Sequence, residues 1–261
     1  MAGKKNELNG GYSYQVSAVI LAAGKGTRMK SDIPKVLHQV CGKPIINYVI
    51  RTVENLRCNP AVIVVGYQEE KVREVLNGKK VIFISQKEQL GTGHAVLQTE
   101  NALKNYENDV LILCGDMPLV KPQTLKEFID DHVDTESTLS IITTNTENPS
   151  NYGRVVRDDD FRIIKIVEEK DASEEEKSIK EINTGIYCVN RNFLFSTLRR
   201  LKPENRQNEY YLTDIIAKAV EKGIDVNSFR VNDEREFMGI NTIDDLKDVE
   251  ELMIHVNQAL N

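Results

Sequence analysis

The chain has 261 residues, of which 40% are hydrophobic and 28% charged, a composition typical of a globular protein with a large core. Its net charge of −6 argues against a nucleic-acid-binding surface, and no apolar run is long enough to cross a membrane. The four cysteines show neither Cys-x-x-Cys spacing nor zinc spacing with histidine, so we expect free thiols and a reducing, cytoplasmic location.

The first half of the chain alternates between apolar runs and amphipathic stretches. The runs predict strands at 16–22, 61–65, 81–84 and 110–114. The amphipathic stretches predict helices at 45–56, 69–76 and 125–133, and the loop at 86–95 is predicted to run into a helix that ends near residue 103. This alternation predicts an α/β fold with right-handed crossovers.

The pattern changes after a strand predicted at 139–144. Two β runs, 152–157 and 161–168, are joined by three aspartates and predict a hairpin, which we expect to form a small β lobe over a pocket. The last elements in the chain are predicted as helices at 173–179, 193–201, 209–220 and 242–260 and as strands at 185–189 and 226–231. We therefore expect a flexible leader at 1–15, one domain at 16–241 and a C-terminal helix at 242–261.

The first strand leads into a loop rich in glycine and basic residues, VILAAGKGTRMKSDIPK. Gly24 and Gly26 allow backbone N–H groups to approach a ligand, and Lys25, Arg28 and Lys35 add positive charge. The loop lacks the Gly-Lys-Ser/Thr ending of a P-loop and the third glycine of the dinucleotide fingerprint. It predicts an anion site, with a nucleoside triphosphate as the ligand; the alternative is a strand-to-helix turn with solvated charges.

A second glycine-containing string, QKEQLGTGHA, spans 86–95. Gly91 and Gly93 permit close backbone approach at the start of a helix, which suits a ligand, although a simple turn before a helix remains open. The Gln86 amide can donate and accept at once, which matches the edge of uracil.

The strand at 110–114 ends in Gly-Asp-Met-Pro, so Asp116 lies at the edge where α/β sheets bind ligands. A carboxylate there needs a partner, and a hard cation such as Mg²⁺ is suited to a site beside phosphates. The alternative is a turn or a helix cap.

The string LAAGKGTRM followed by PKVL resembles the signature of sugar-phosphate nucleotidyltransferases, in particular the bacterial uridylyltransferases of N-acetylglucosamine 1-phosphate. The resemblance extends over GDMP, YGRV, IVEEKD, EINTGI and FMGIN. It implies a Rossmann-like three-layer fold with a mixed, mostly parallel sheet. It also implies Mg²⁺-dependent transfer of UMP from UTP to N-acetylglucosamine 1-phosphate, with release of pyrophosphate.

The resemblance also implies a role for each matching residue. Arg28 and Lys35 would be catalytic, and Asp116 and Asn241 would hold the metal. Gly153, Glu168 and Asn183 would bind the sugar. The nucleotide-binding set would be Leu21, Ala22, Ala23, Gly24, Lys35, Gln86, Gln89, Gly91 and Thr92. The family usually has an aromatic residue where this chain has Cys114, which affects the packing on the sugar side.

Several alternatives stay open. The apolar stripe of the last helix fits packing onto the domain or self-association into a homo-oligomer. No isoleucine-rich hexapeptide repeat follows, so the acetyl transfer of the bifunctional family members is not expected. A nucleotidyltransferase for another nucleotide or sugar, such as glucose 1-phosphate, is one rival function, and a non-catalytic nucleotide-sugar sensor is another.

Overall fold

Short strands and helices alternate along the chain. A computed structural model describes residues 6–8, 11–13 and 15–259, with side chains from residue 15 to 255. The strands are β1 (Asn6–Leu8), β2 (Gly11–Ser13), β3 (Ser17–Ala22), β4 (Gln39–Val40), β5 (Lys43–Pro44), β6 (Ala61–Val65), β7 (Ile82–Ser85), β8 (Val110–Cys114), β9 (Leu139–Asn145), β10 (Gly153–Arg157), β11 (Ile163–Val167), β12 (Glu181–Val189) and β13 (Asn227–Arg230). The helices are α1 (Ile45–Asn55), α2 (Glu69–Val75), α3 (Thr92–Leu97), α4 (Glu100–Leu103), α5 (Pro122–Asp134), α6 (Glu174–Lys177), α7 (Arg191–Leu198), α8 (Asp214–Glu221) and α9 (Ile243–Ala259).

The main sheet has the strand order β7-β6-β3-β8-β12-β9-β13. The ladders β7–β6, β6–β3, β3–β8 and β9–β13 are parallel, whereas β12 runs antiparallel to both of its neighbours. Strands β3, β6 and β8 are continuous apolar runs because helices cover both of their faces. The predicted α/β fold with a mixed, mostly parallel sheet is confirmed.

The predicted hairpin forms β10 and β11, which pair antiparallel and attach to the first half of β12. Strand β12 begins at Glu181 rather than at the predicted residue 185, since its early residues pair with both β9 and β10. The register shifts between Asn183 and Tyr187. The first half of β12 therefore pairs with β10 of the hairpin, and the second half pairs with β8.

Two hydrophobic clusters pack on opposite faces of the sheet. One includes Ile46 of α1 and Phe128 of α5, and the other includes Leu194 of α7 and Ile215 of α8. In a third cluster Val249 of α9 packs with Met29, Val40 and Ile45, so the last helix docks onto the domain. Val256 and Leu260 of the predicted stripe lie outside the described side chains, and self-association stays a prediction. In the described chain no helix is both long and apolar enough to span a membrane.

Two predicted helices were wrong in extent. The helix predicted to end near residue 103 is broken into α3 and α4 at Thr99, whose hydroxyl donates to the Val96 carbonyl at 2.7 Å and competes with the helical ladder. The helix predicted at 209–220 begins only at Asp214. Its first part stays non-helical because the backbone of Tyr210 bonds to Leu90 and Gly93 instead.

The remaining boundaries differ from prediction by a few residues, as at α7, which spans Arg191–Leu198 rather than 193–201. Most of the predicted leader lies outside the described residues. Within it the structure shows only that β1 and β2 pair antiparallel, so its flexibility stays a prediction.

Candidate functional site

A cleft opens at the carboxyl ends of β3, β7 and β8, with a cavity volume of about 320 Å³. This volume lies within the range of small-molecule sites. All nine predicted nucleotide-binding residues line the cleft together with Asp116, namely Leu21, Ala22, Ala23, Gly24, Lys35, Gln86, Gln89, Gly91 and Thr92. Their convergence makes the cleft the candidate active site.

The glycine-rich loop is shaped by its contact with Lys35. Gly26 has a φ of +66°, and a Cβ atom at this position would lie 2.6 Å from the Lys35 Cβ. A side chain at residue 26 would therefore displace the lysine as well as strain the backbone. After Gly26 the chain forms a 3₁₀ turn, Thr27–Met29, in which Met29 is buried and Arg28 is exposed. The loop thus presents Arg28 and Lys35 on the same side.

The predicted catalytic and metal-binding side chains meet at one point. The Lys35 ammonium donates to Asp116 Oδ2 and, at 3.0 Å, to Asn241 Oδ1. Arg28 Nη2 also donates to Asn241 Oδ1, at 3.0 Å. The side chains of Lys35 and Asp116 are only 18% and 13% exposed, so the ion pair is largely withdrawn from water. Two cations therefore surround one carboxylate and one amide oxygen at the edge of the sheet.

Asp116 and Asn241 are far apart in sequence but are joined through the backbone. Ile240 N donates to the Asp116 carbonyl at 3.0 Å, which places Asn241 beside the aspartate. Asp245 Oδ2 then accepts from the backbone N–H groups of Asn241 and Thr242, while Thr242 Oγ1 accepts from Asp245 N at 3.1 Å. The start of α9, with Thr242 as its N-cap, thereby fixes the amide in place.

The same geometry suits a divalent cation. One ammonium nitrogen contacts both Asp116 Oδ2 and Asn241 Oδ1, so the two oxygens converge on a single position. Carboxylate and amide oxygens are the ligands that Mg²⁺ takes in proteins. Among the described residues no group of three or more His, Cys, Asp or Glu side chains surrounds a metal position. A cation here would therefore take its other ligands from water and from ligand oxygens.

The opposite wall of the cleft is built from the string 86–95 and a neighbouring loop. Gly91 has a φ of +109°, and a Cβ atom there would lie 2.6 Å from the Tyr210 carbonyl oxygen. Gly93 N donates to that same carbonyl at 2.8 Å, and Thr92 Oγ1 accepts from Leu212 N at 3.0 Å. The close approach expected at these glycines is thus made by the chain's own backbone at Tyr210.

The side-chain amides on this wall have defined partners. Gln89 Nε2 donates to the Ala23 carbonyl at 2.8 Å and so bridges the wall to the glycine-rich loop. Gln86 is buried, and its Nε2 donates to the Gly91 carbonyl at 3.1 Å.

The predicted sugar-binding residues also converge. Gly153 pairs with Asn183 across β10 and β12, and a Cβ atom on Gly153 would lie 3.6 Å from Glu168 Oε2. Asn183 Oδ1 accepts from Gly185 N at 3.1 Å, and its Nδ2 donates to the Tyr187 hydroxyl at 2.7 Å. The amide is therefore held rigidly in the orientation shown.

Glu168 is held by a residue that sequence analysis did not single out. Its Oε1 accepts from Thr213 Oγ1 at 3.0 Å, and burial raises the pKa of the Glu168 carboxyl, an effect that the Thr213 hydrogen bond opposes. Thr213 lies in the string NEYYLTDII, immediately before α8, where no feature of the sequence alone points to a contact with Glu168.

Cys114 and Tyr152 connect the sugar-side residues to the cation cluster. Cys114 Sγ lies 3.8 Å from the Gly185 carbonyl, and burial raises the pKa of this thiol to about 12, so it stays protonated and inert. The Tyr152 hydroxyl interacts with the backbone of Gly239, two residues before Asn241, while burial raises the pKa of this phenol. The β lobe thus contacts the segment that carries Asn241.

Comparison with known proteins gives a consistent result. The family model described as nucleotidyl transferase matches residues 17–252. The chain is 44% identical over 248 residues to the bifunctional protein GlmU of Geotalea daltonii, covering 94% of this chain and 54% of that protein. It is 47% identical over 227 residues to the GlmU of Geobacter metallireducens, covering 87% of this chain and 48% of that protein. The chain thus spans about half the length of these curated relatives.

A solved structure shares the fold. The crystal structure of a UDP-glucose pyrophosphorylase complexed with UDP-glucose superposes with a TM-score of 0.75, covering 92% of this chain and 99% of the other at 18% sequence identity. At this identity the likeness concerns the architecture alone.

The cation cluster predicts competition between Lys35 and a divalent ion. Because the Lys35 ammonium contacts both candidate ligand oxygens, Lys35→Met should raise the affinity of the ligand-free protein for Mn²⁺ by about tenfold, which corresponds to about 1.4 kcal/mol. Electron paramagnetic resonance of free Mn²⁺ measures this binding. Lys25→Met, which removes a loop cation that lies over the Tyr67 ring, is the matched control and should leave the affinity unchanged. Equal affinities in all three proteins would contradict the overlap.

Asp214, the residue after Thr213, predicts a pH dependence of stability. Burial raises the pKa of this carboxyl to about 6 from 3.8, so the folded chain holds the proton more tightly than the unfolded chain. Its favourable contribution is present below about pH 4 and is lost as the pH rises through about 6. Asp214→Asn should therefore raise the thermal unfolding midpoint at pH 8 and change it little at pH 4. Asp159→Asn on the exposed hairpin turn is the control, and a gain confined to low pH would refute the assignment.

Proposed function

The chain belongs to the nucleotidyl transferase family, and from this premise we propose that it transfers UMP from UTP to N-acetylglucosamine 1-phosphate, releasing pyrophosphate. The observation that carries the proposal is the cluster of Arg28, Lys35, Asp116 and Asn241 at one end of a cleft lined by the predicted nucleotide-binding residues. The similarity to GlmU proteins over nearly the whole chain supports the choice of nucleotide and sugar.

The proposed reaction needs no general base. Its nucleophile is a phosphate oxygen of the sugar phosphate, which is already ionised at neutral pH. The difficulty is electrostatic, because two polyanions must meet in line at the α-phosphorus. A site of cations, backbone N–H groups and a metal position, with no nucleophile–base pair, matches this requirement.

The basic residues would bind the triphosphate and compensate the charge that develops on the leaving pyrophosphate. Arg28 is exposed at the mouth of the cleft and has donors beyond the one given to Asn241. Lys35 is held by the Gly26 turn and lines the cleft itself. The backbone N–H groups from Gly24 to Thr27 would add hydrogen bonds to the triphosphate.

Members of this family generally use a divalent metal ion, and we propose Mg²⁺ for this chain. Asp116 and Asn241 would hold it, and when bound it supplies charge neutralisation between the sugar phosphate and the α-phosphate. The Lys35 ammonium would then leave the two ligand oxygens and turn towards the triphosphate.

The sugar would lie beside the β lobe. Asn183 and Glu168 offer an amide and a carboxylate for sugar hydroxyls and the N-acetyl group, next to the Gly153 backbone. Asn183 is kept in one orientation by Gly185 and Tyr187, which favours recognition of a defined sugar. Transfer to glucose 1-phosphate, or use of another nucleotide, is the alternative within the same class.

The second candidate function belongs to a different class, that of a non-catalytic nucleotide-sugar sensor. It is disfavoured because all four charged or metal-directed side chains are present and in contact. A cytoplasmic location and self-association through α9 stay predictions of the sequence.

The substrate assignment predicts a specific activity profile. With Mg²⁺, pyrophosphate release from UTP should be at least tenfold faster with N-acetylglucosamine 1-phosphate than with glucose 1-phosphate, since only the former carries the group expected to face Asn183. Asp116→Asn, or chelation of the metal, should abolish release, because the charged metal ligand is lost. Retained release in the Asp116→Asn protein would contradict the metal role. A preference for glucose 1-phosphate would move the chain to the alternative substrate.

Arg28 predicts a rate effect rather than a binding effect. Arg28→Ala should lower kcat by about 100- to 1000-fold and change the KM for UTP only a few-fold, because the arginine acts on developing charge. Lys30→Ala, which removes an exposed basic residue two positions along, serves as the control and should keep kcat within about twofold. An unchanged kcat with a raised KM in the Arg28→Ala protein would assign Arg28 to ground-state binding instead.

A further inference from the structure

His94 on α3 lies between two side-chain amides and outside the predicted site. Its Nδ1 is 3.0 Å from Gln86 Nε2, and its Nε2 is 3.0 Å from Gln98 Nε2. A neutral imidazole has one donor and one acceptor nitrogen, so it cannot accept from both amides. The arrangement therefore requires that one of the two glutamines present its oxygen to the ring.

The Gly91 carbonyl decides which glutamine this is. A backbone carbonyl can only accept, and Gln86 Nε2 donates to it at 3.1 Å. Turning the Gln86 amide around would put two oxygens in contact, so Gln86 keeps its nitrogen towards both Gly91 and His94. His94 Nδ1 is then the acceptor, and Nε2 carries the proton.

Gln98 adjusts to this tautomer. A half-turn of its terminal amide places Oε1 where it accepts from His94 Nε2. The turn leaves Oε1 facing the His94 carbonyl oxygen at 3.3 Å, a wider separation than the 3.1 Å that the same turn would create between Gln86 and Gly91. The chain Gln98–His94–Gln86–Gly91 is then consistent at every step, with each donor facing an acceptor.

The same chain fixes the free atom of Gln86. Both amide hydrogens are engaged by Gly91 and His94. Within the described part of the chain no donor bonds to Gln86 Oε1, and this oxygen is not among the buried atoms without a partner. Because Gln86 lines the cleft, its carbonyl oxygen is the atom offered to a ligand there.

We propose that His94 is a positioning residue for nucleotide specificity. By holding the Gln86 amide, His94 keeps Oε1 directed towards the ligand as a hydrogen-bond acceptor. This oxygen can accept from a base with a ring N–H, such as N3–H of uracil, but it disfavours cytosine, whose N3 is itself an acceptor. The inference rests on the proposed function for the identity of the nucleotide. It concerns His94 and Gln98, which would touch no substrate atom.

His94 also packs near Tyr210, with the ring centroids 6.2 Å apart, so a variant could act through packing alone. The test therefore uses two replacements of equal shape. His94→Asn keeps an oxygen acceptor near the position of Nδ1, whereas His94→Leu removes the acceptor. Calorimetric titration with UTP and with CTP in the presence of Mg²⁺ gives a ratio of dissociation constants for the parent chain and each variant.

We expect His94→Leu to lower the preference for UTP over CTP by about tenfold, the loss that corresponds to one hydrogen bond. His94→Asn should keep the preference within about threefold of the parent, at similar thermal stability. Equal loss in both variants would make the role one of packing, and an unchanged ratio in both would remove any role; either result overturns the proposal. So would a parent chain that binds UTP and CTP equally.

The binding ratio separates this inference from the proposed reaction. A parent chain that prefers UTP and responds to the two variants as expected, yet releases no pyrophosphate, would refute the proposed activity and leave the His94 assignment standing. Normal turnover with an unresponsive ratio would do the opposite.

Discussion

The site depends on compensating the charge of one carboxylate. Asp116 lies at the end of β8 with 13% of its side chain exposed, where an unpaired negative charge would be costly. Lys35, Asn241 and the backbone at Ile240 all come to it, from the glycine-rich loop and from the segment before α9. The negative charge of Asp116 thus helps to hold two segments that are distant in sequence at the edge of the sheet, and a bound metal ion would neutralise this same charge.

The antiparallel strand β12 explains how the sugar-side residues reach this edge. The parallel strands β3 and β8 deliver residues from their carboxyl ends. Because β12 runs the other way, its beginning lies at that edge, which puts Asn183 within reach of the hairpin residue Gly153. One reversed strand therefore joins the β lobe to the candidate active-site cleft. The bend between Asn183 and Tyr187 lets the same strand pair with both parts.

The sequence predicted the sheet well because buried parallel strands are continuous apolar runs, as in Ala61–Val65. It also predicted which side chains come together at the cleft, because the glycine and basic residues of the loop form a recognisable local pattern. It did not show the contacts that depend on a distant segment. The backbone at Tyr210 packs against Gly91 and Gly93, and these contacts keep 209–213 from being helical. The sequence also does not reveal that Gln86 and Gln98 contact His94, because nothing in the sequence distinguishes these two glutamines from others.

Charge and hydrogen bonding have separate tasks in such a cleft. Every nucleoside triphosphate carries the same phosphates, so Arg28, Lys35 and a metal ion cannot distinguish one base from another. Discrimination has to come from neutral groups, and an amide can present either an oxygen or a nitrogen to the base. A glutamine free to turn would accept uracil and cytosine alike. Under the proposed function, selectivity for uracil would therefore depend on how firmly the contacts with Gly91 and His94 prevent the Gln86 amide from turning, as much as on the contact between Gln86 and the base.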